Sequence, residues 1–245
     1  MNYLLRHRDD DSTSKHVFSD ITSAFIIFII LFIFIQQFKV LEVFKQAKIS
    51  ILQRHVRAQI ESSFRDRGYS DRIPRIEVNS ANPLVQKIIM TSSVLKFPSG
   101  SIDLQTRDDE NILHIVGEIL KENNTLFEAL KIEGHADTMA LSSAAQLKFP
   151  TNWELSTGRA TTVVRFLQEK TGIPPAQMSA VGFSIYHPIH RDSLNLNRRI
   201  EFVIQYSYAA EFMHSPRAKE IYEEYARKNQ PNSAKEATLF QSKKF

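Results

Sequence analysis

Two strings in the second half of the sequence pair residue types that can hold a charged ligand. IEGHADT (Ile132 to Thr138) reads as a strand ending in a loop that exposes Asp137. NWELSTGRA (Asn152 to Ala160) reads as the start of a helix, with Asn152 a candidate cap and Arg159 about two turns in. A carboxylate at a strand end and a guanidinium on the adjoining helix can grip a zwitterion. Asp137 would take the ammonium, and Arg159 would hold the carboxylate through two parallel hydrogen bonds. The competing reading is a mutual salt bridge at the surface, which contributes little. A third string, NRRIEF (Asn197 to Phe202), sets Arg198 and Arg199 side by side ahead of a further strand.

Asp20 is the remaining candidate. It stands at the entrance to ITSAFIIFIILFIFI (Ile21 to Ile35), an apolar run of membrane length. An ionisable group at the edge of a bilayer-spanning helix is costly to keep there and points to function. The alternative is that Ser19 and Asp20 cap the helix at headgroup level.

Other chemistry is thinly supported. His187 and His190 in YHPIHRD have Pro188 between them, which disrupts helical i,i+3 geometry, and no further ligand set lies nearby, so no metal is expected. The sequence has no phosphate-binding glycine loop, nucleophile elbow or catalytic cysteine, and neither a cofactor nor an enzyme is expected. Absence of cysteine also excludes disulfides. The net charge of +4 is small for a nucleic-acid binder. Between Lys39 and Arg75 nine Lys/Arg stand against four Asp/Glu, which reads as a solvated helix face near anionic headgroups rather than a nucleic-acid contact.

The elements that must carry these residues are marked by glycine and proline. Val17 to Ile35 would span roughly 28 Å as a helix, close to the hydrocarbon thickness. Asp9, Asp10 and Asp11 before the run, and no small-residue cleavage site after it, favour an uncleaved anchor over a signal peptide. Lys/Arg are balanced on its two sides, so charge leaves the orientation open. The first glycine is Gly68 and the first proline Pro74, so a helix entering near His16 can continue to about Phe64. Beyond the bilayer Leu41, Phe44, Leu52, Val56, Ile60 and Phe64 form a stripe that asks for a partner. A second copy of the helix is the simplest, and packing on the chain's own domain is the alternative. After a turn-rich break, short strands are expected at Ile76 and Val78 and at Ile88 to Met90. A helix capped by Thr106, a strand at Ala129 to Glu133 and a helix from about Trp153 to Lys170 follow. Gly172 and Pro174 end that helix, and strands at Met178 to Val181 and Ile200 to Tyr206 complete a β-α-β-α-β order.

In this order and spacing, IEGHADT, NWELSTGRA and NRRIEF resemble the OmpA-like peptidoglycan-binding domain, over about Val94 to Gln205. NWELS followed by RA looks most like the version in MotB-type stator subunits. The resemblance implies binding of the diaminopimelate residue of a peptidoglycan stem peptide, with Asp137 and Arg159 on its zwitterionic end and Asn152 and Leu155 lining the site. Arg198 and Arg199 fall on the family's NRR motif, in a structural or a contact role. Ala136 stands where a threonine is usual.

FSDITSAFIIFIILF is similar to the membrane segment of MotB-like proteins, which makes Asp20 the proton-carrying position. It implies a homodimeric B subunit in the bacterial inner membrane, ringed by a multi-pass A subunit of the MotA/ZorA kind, a pentamer around the dimer. The uninterrupted helix, with no proline between Asp20 and Arg72, and the compact length look more like ZorB of the Zorya anti-phage defence complex than like flagellar MotB. A flagellar stator subunit and a passive cell-wall anchor are the alternatives. The expected fold is α+β: one transmembrane helix extended into a long helix, then an OmpA-like α/β sandwich. The implied layout is a cytoplasmic segment 1–15, a transmembrane helix 16–38, a periplasmic helix and linker 39–74, the peptidoglycan-binding domain 75–210, and a C-terminal helix with a flexible tail 211–245.

Overall fold

A computed structural model describes residues 3–229, with side chains from residue 21 onward. The chain divides into two compact units, Met1–Ala47 and Lys48–Phe245. Its helices are α1 (Tyr3–Asp66), α2 (Arg107–Glu122), α3 (Ser143–Gln146), α4 (Asn152–Phe166), α5 (Leu194–Asn197), α6 (Ala210–Met213) and α7 (Pro216–Lys228). With neither glycine nor proline before Gly68, nothing in the sequence interrupts α1.

In the first unit the large apolar side chains from Ile21 to Phe44 lie on the outside of α1. The mean hydropathy reaches 2.4 there, and the helix is long and apolar enough to cross a membrane. Apolar surface of this extent calls for lipid or protein around it. The backbone of Asp20 lies in α1, and its side chain is outside the described residues.

The end of α1 belongs to the second unit and corrects the sequence expectation for the stripe. Ile49, Leu52, Val56, Ile60 and Phe64 recur at three- and four-residue steps and are buried in the same core as the sheet. The chain's own domain is therefore the partner of this part of the stripe, and Leu52, Val56, Ile60 and Phe64 offer nothing to a second copy. Leu41 and Phe44 remain exposed within their unit. At the other end of the sequence, Met213, Ala218 and Ile221 enter that core as well. The expected boundaries at 75 and 210 thus fall inside one compact unit.

Five strands, β1 (Arg75–Val78), β2 (Val85–Thr91), β3 (Ala129–His135), β4 (Met178–Gly182) and β5 (Arg199–Gln205), form one sheet in the order β1-β2-β5-β3-β4. All neighbours are antiparallel except β3 and β4, which are parallel and joined through α4. Alternation assigns the faces. Ile88, Met90, Leu130, Ile132, Ile200, Phe202 and Ile204 point into the helical core, whereas Lys87, Lys131, Glu133, His135, Arg199 and Glu201 lie on the other face.

Local chemistry sets the helices that carry the site. Thr106 caps α2 with a reciprocal box, accepting from Asp109 N at 3.2 Å while Asp109 Oδ2 accepts from Thr106 N at 3.0 Å. Asp109 is fully buried, pairs with Arg72 and also accepts from Lys96 N at 3.1 Å, which fixes the start of the loop leading to Ser101. α4 is capped by Thr151 rather than Asn152: Thr151 Oγ1 accepts from Trp153 N at 3.1 Å, and Glu154 Oε2 accepts from Thr151 N at 2.8 Å. α4 passes into a short π turn, Leu167–Thr171, closed by Gly172 at φ +71°.

Two glycines let α4 lie directly on the sheet. Gly134 and Gly182 are register partners in β3 and β4. A Cβ on Gly134 would meet Ser156 O at 2.1 Å, and one on Gly182 would meet Thr157 Oγ1 at 2.1 Å.

Candidate ligand site at the end of the sheet

The end of β3 is tied down from two sides. Ala136 N donates to Ser184 O at 2.8 Å, and Ser184 N donates to Ser156 Oγ at 3.0 Å, so the loop after β4 bridges Asp137's neighbour to α4. Ser184 is buried and has φ +52°, the one positive φ at a non-glycine among the described residues. Strain of this kind persists where surrounding bonds over-determine it, and it gathers at functional sites.

Held in this way, Asp137 is only 6 % exposed, in contrast to the exposed position expected from sequence. Its Oδ1 accepts from Met139 N at 3.0 Å. Its Oδ2 is buried and makes no hydrogen bond among the described residues. The cation beside it is Arg198, with Nε 3.3 Å from Oδ2.

Arg159 is equally buried, at 6 % exposure, and makes no ion pair with Asp137. Its Nε donates to Ser101 O at 2.9 Å, a terminal nitrogen donates to Pro98 O at 3.0 Å, and its guanidinium lies 5.3 Å from the Phe97 ring centre. Burial, followed by the charge of Arg198, pushes its pKa down to about 10 against the opposing pull of Asp137; it stays protonated at neutral pH. Two guanidiniums around one carboxylate leave the site positive overall. A ligand carboxylate would answer that excess, and a ligand ammonium would answer Asp137 Oδ2.

Asp137, Asn152, Leu155, Arg159 and Arg198 line one small cavity of about 30 Å³. A second cavity of about 570 Å³ adjoins it, lined by Lys96 and His135 and sharing Phe97, Ser99, Arg159 and Arg198. Arg199 reaches only this larger cavity. It is buried and donates to Glu201 Oε1 at 2.5 Å, Asn197 O at 3.3 Å and His187 O at 3.1 Å. His190 uses Nδ1 to accept from Asp192 N and Ser193 N in its own turn.

A charge network on the face of the sheet opposite the helical core was not anticipated from sequence. Glu133 and Glu201 sit directly opposite each other, which would be repulsive alone. Lys87 Nζ lies 2.7 Å from Glu201 and 3.6 Å from Glu133, and Lys131 Nζ lies 2.7 Å from Glu133. Burial opposes both charges, yet their hydrogen bond raises the pKa of Lys87 and lowers that of Glu201. His135, 3 % exposed and stacked on Phe183, is pushed down to about 3 by burial first and then by Arg199. It is neutral at neutral pH, and both ring nitrogens lack a hydrogen bond among the described residues. Glu133, His135 and Glu201 bring ligand atoms within 4.8 Å of one another. A metal ion there would have to displace Lys87 and sit beside Arg199, so the donor set suits an ion network better than a metal. The signal in the sequence was the period-two placement of Lys131, Glu133 and His135 against Arg199 and Glu201.

Residues 96–200, which contain the whole of this site, match the OmpA family. The chain is a long apolar N-terminal helix followed by an OmpA-like mixed α/β domain. YtxE, an uncharacterized protein of Bacillus subtilis (strain 168), is 25 % identical over 170 residues, which are 68 % of this chain and 60 % of YtxE. The crystal structure of a MotB-like protein from Desulfovibrio vulgaris is similar at TM-score 0.55 and 24 % identity, covering 67 % of this chain and 99 % of that one. The cell wall anchor of the T6SS from Pseudomonas aeruginosa is similar at TM-score 0.50 and 22 % identity, covering 62 % and 99 %. At these identities the likeness to the two structures establishes the fold.

Proposed function

We propose that this chain is the peptidoglycan-anchored B subunit of an ion-driven inner-membrane motor of the MotA/MotB kind. The observation that carries the proposal is Asp137 Oδ2, buried and without a hydrogen bond beside Arg198, in a cavity that Arg159 also lines. Such a carboxylate suits the ammonium of a diaminopimelate zwitterion, and Arg159 suits its carboxylate. Asn152 and Leu155 would contact the stem peptide, and Arg198 would have to yield Asp137 to it. The MotB-like and cell-wall-anchor relatives of this fold support the assignment of the wall as ligand.

In this proposal the apolar part of α1 crosses the inner membrane once, with the N-terminus cytoplasmic and the OmpA-like domain periplasmic. Two copies sit inside a pentamer of a multi-pass A subunit resembling MotA or ZorA. Asp20 carries protons, and their flow rotates the A ring around a dimer held still by the wall. The uninterrupted α1 supports the ZorB-like version, with an output in anti-phage defence, over a flagellar stator subunit. The test is co-sedimentation of residues 48–245 with purified peptidoglycan. Retention by the parent and loss by Asp137→Ala are expected, and a folded Asp137→Ala that sediments like the parent would overturn the site.

A further inference from the structure

Trp153 and Tyr186 are two large aromatics of the OmpA-like domain that neither the core nor the charged site uses. Their rings stack at 5.5 Å between centres and 29° between planes, and they remain 46 % and 64 % exposed. Leaving two such rings at the surface forgoes much apolar burial. Neither is a loose end. Trp153 lies in the first turn of α4, inside the Thr151 and Glu154 cap. Tyr186 follows the strained Ser184, whose backbone is bonded both to Ser156 on α4 and to Ala136 beside Asp137. The pair is thus positioned by the same bonds that position the charged site.

Beyond Trp153 runs a shallow groove of about 450 Å³ along α4, lined also by Thr157, Thr161, Thr162 and Arg165. Aromatic faces next to hydroxyl and guanidinium groups match a sugar ring, which has apolar C–H faces and a polar edge. Asn152, the residue before Trp153, lines the Asp137 cavity, so a ligand seated there and continuing along α4 into the groove meets Trp153, on which Tyr186 is stacked.

We infer that Trp153 and Tyr186 form a platform for an amino-sugar ring of the glycan strand, next to the subsite for the stem peptide. This rests on the stem-peptide proposal and adds a second contact to it: the wall polymer would be read at its peptide and at the sugar that bears it.

Trp153 is the one tryptophan in the chain, so its emission reports on the platform directly. The full chain, in a detergent without sugar groups, is titrated with a disaccharide-bearing muropeptide and with the same stem peptide lacking sugars. The muropeptide should bind about tenfold more tightly and shift the tryptophan emission, while the stem peptide binds without that shift. Tyr186→Ala should bring the two affinities together and leave the stem-peptide affinity unchanged, and Tyr186→Phe should behave as the parent. Equal affinities for both ligands in the parent, with no emission shift, would overturn the platform and leave the stem-peptide site standing. If the parent binds neither ligand, the wall-binding proposal itself fails, and the platform with it.

Discussion

Arg198 Nε lies 3.3 Å from Asp137 Oδ2, pairing the two charges without giving that oxygen a hydrogen bond. Arg159, the expected counter-ion, is instead held by the carbonyls of Ser101 and Pro98. Removing Asp137 therefore leaves buried Arg159 and partly exposed Arg198 without their shared carboxylate, whereas removing Arg159 releases the loop before α2. Asp137→Ala should weaken stem-peptide binding at least thirtyfold, or about 2 kcal/mol. Arg159→Lys should fare little better than Arg159→Ala, because a lysine cannot reproduce the two-carbonyl fork. Calorimetric titration of both variants is the check, and a lysine variant with parental affinity would show that charge alone suffices.

The buried end of α1 predicts where the domain can be cut. A piece starting at residue 48 keeps Ile49, Leu52, Val56, Ile60 and Phe64, and one spanning 75–210 lacks them together with Ala218 and Ile221. At about 2 kcal/mol for each large side chain, the shorter piece forgoes on the order of 10 kcal/mol, comparable with a domain's whole stability. It should show no cooperative thermal transition by circular dichroism, while 48–245 melts cooperatively. Cysteines placed at 52, 56 or 60 should accordingly fail to cross-link two copies, and those at Leu41 or Phe44 are the informative positions.

This contrast shows what was legible in the sequence. The stripe itself was plain from its spacing, but an apolar face does not say whether its cover comes from the same chain or another. Caps are local, and Thr106 was legible as the cap of α2; at α4 the sequence pointed to Asn152, whereas Thr151, boxed with Glu154, holds the position. Asp137 and Arg159 stood out by motif. Their burial and the pairing of Asp137 with Arg198 were hidden, because both depend on how β3, α4 and the end of the α5 turn meet in space. The Glu133–Glu201–Lys87 network escaped for the same reason, its members being cross-strand neighbours far apart in sequence.

His135 makes stability depend on pH with a definite sign. Its folded pKa of about 3 lies below the unfolded 6.5, so between these values the unfolded chain binds the extra proton and stability falls as pH falls. Half-buried His55 is lowered too, by burial and then Arg217, and adds in the same direction. Between pH 7.5 and 5.0 residues 48–245 should lose on the order of 2 kcal/mol. His135→Phe keeps a ring against Phe183 and removes the two unpaired nitrogens, and it should flatten most of this slope. Urea unfolding at the two pH values reads the difference.

In the proposed motor, Asp20→Asn should leave association with the A subunit intact and abolish output. Asp20→Glu, which keeps the carboxylate on a longer arm, should retain part of it. Copurification of the A subunit alongside a phage-protection or swimming assay separates assembly from function. Full activity in an assembled Asp20→Asn complex would leave the passive anchor as the better description.

The contacts at Gly134 and Gly182 divide the site into a part that can diverge and a part that cannot. Where α4 meets β3 and β4 there is room for hydrogen alone, so the spacing between Asp137 and the start of α4 admits no gradual adjustment by side-chain size. Under the proposed function, adaptation to a different stem peptide would have to come through the loop around Phe97 to Ser101. Relatives that bind altered stem peptides should therefore differ in that loop while keeping hydrogen at both glycine positions.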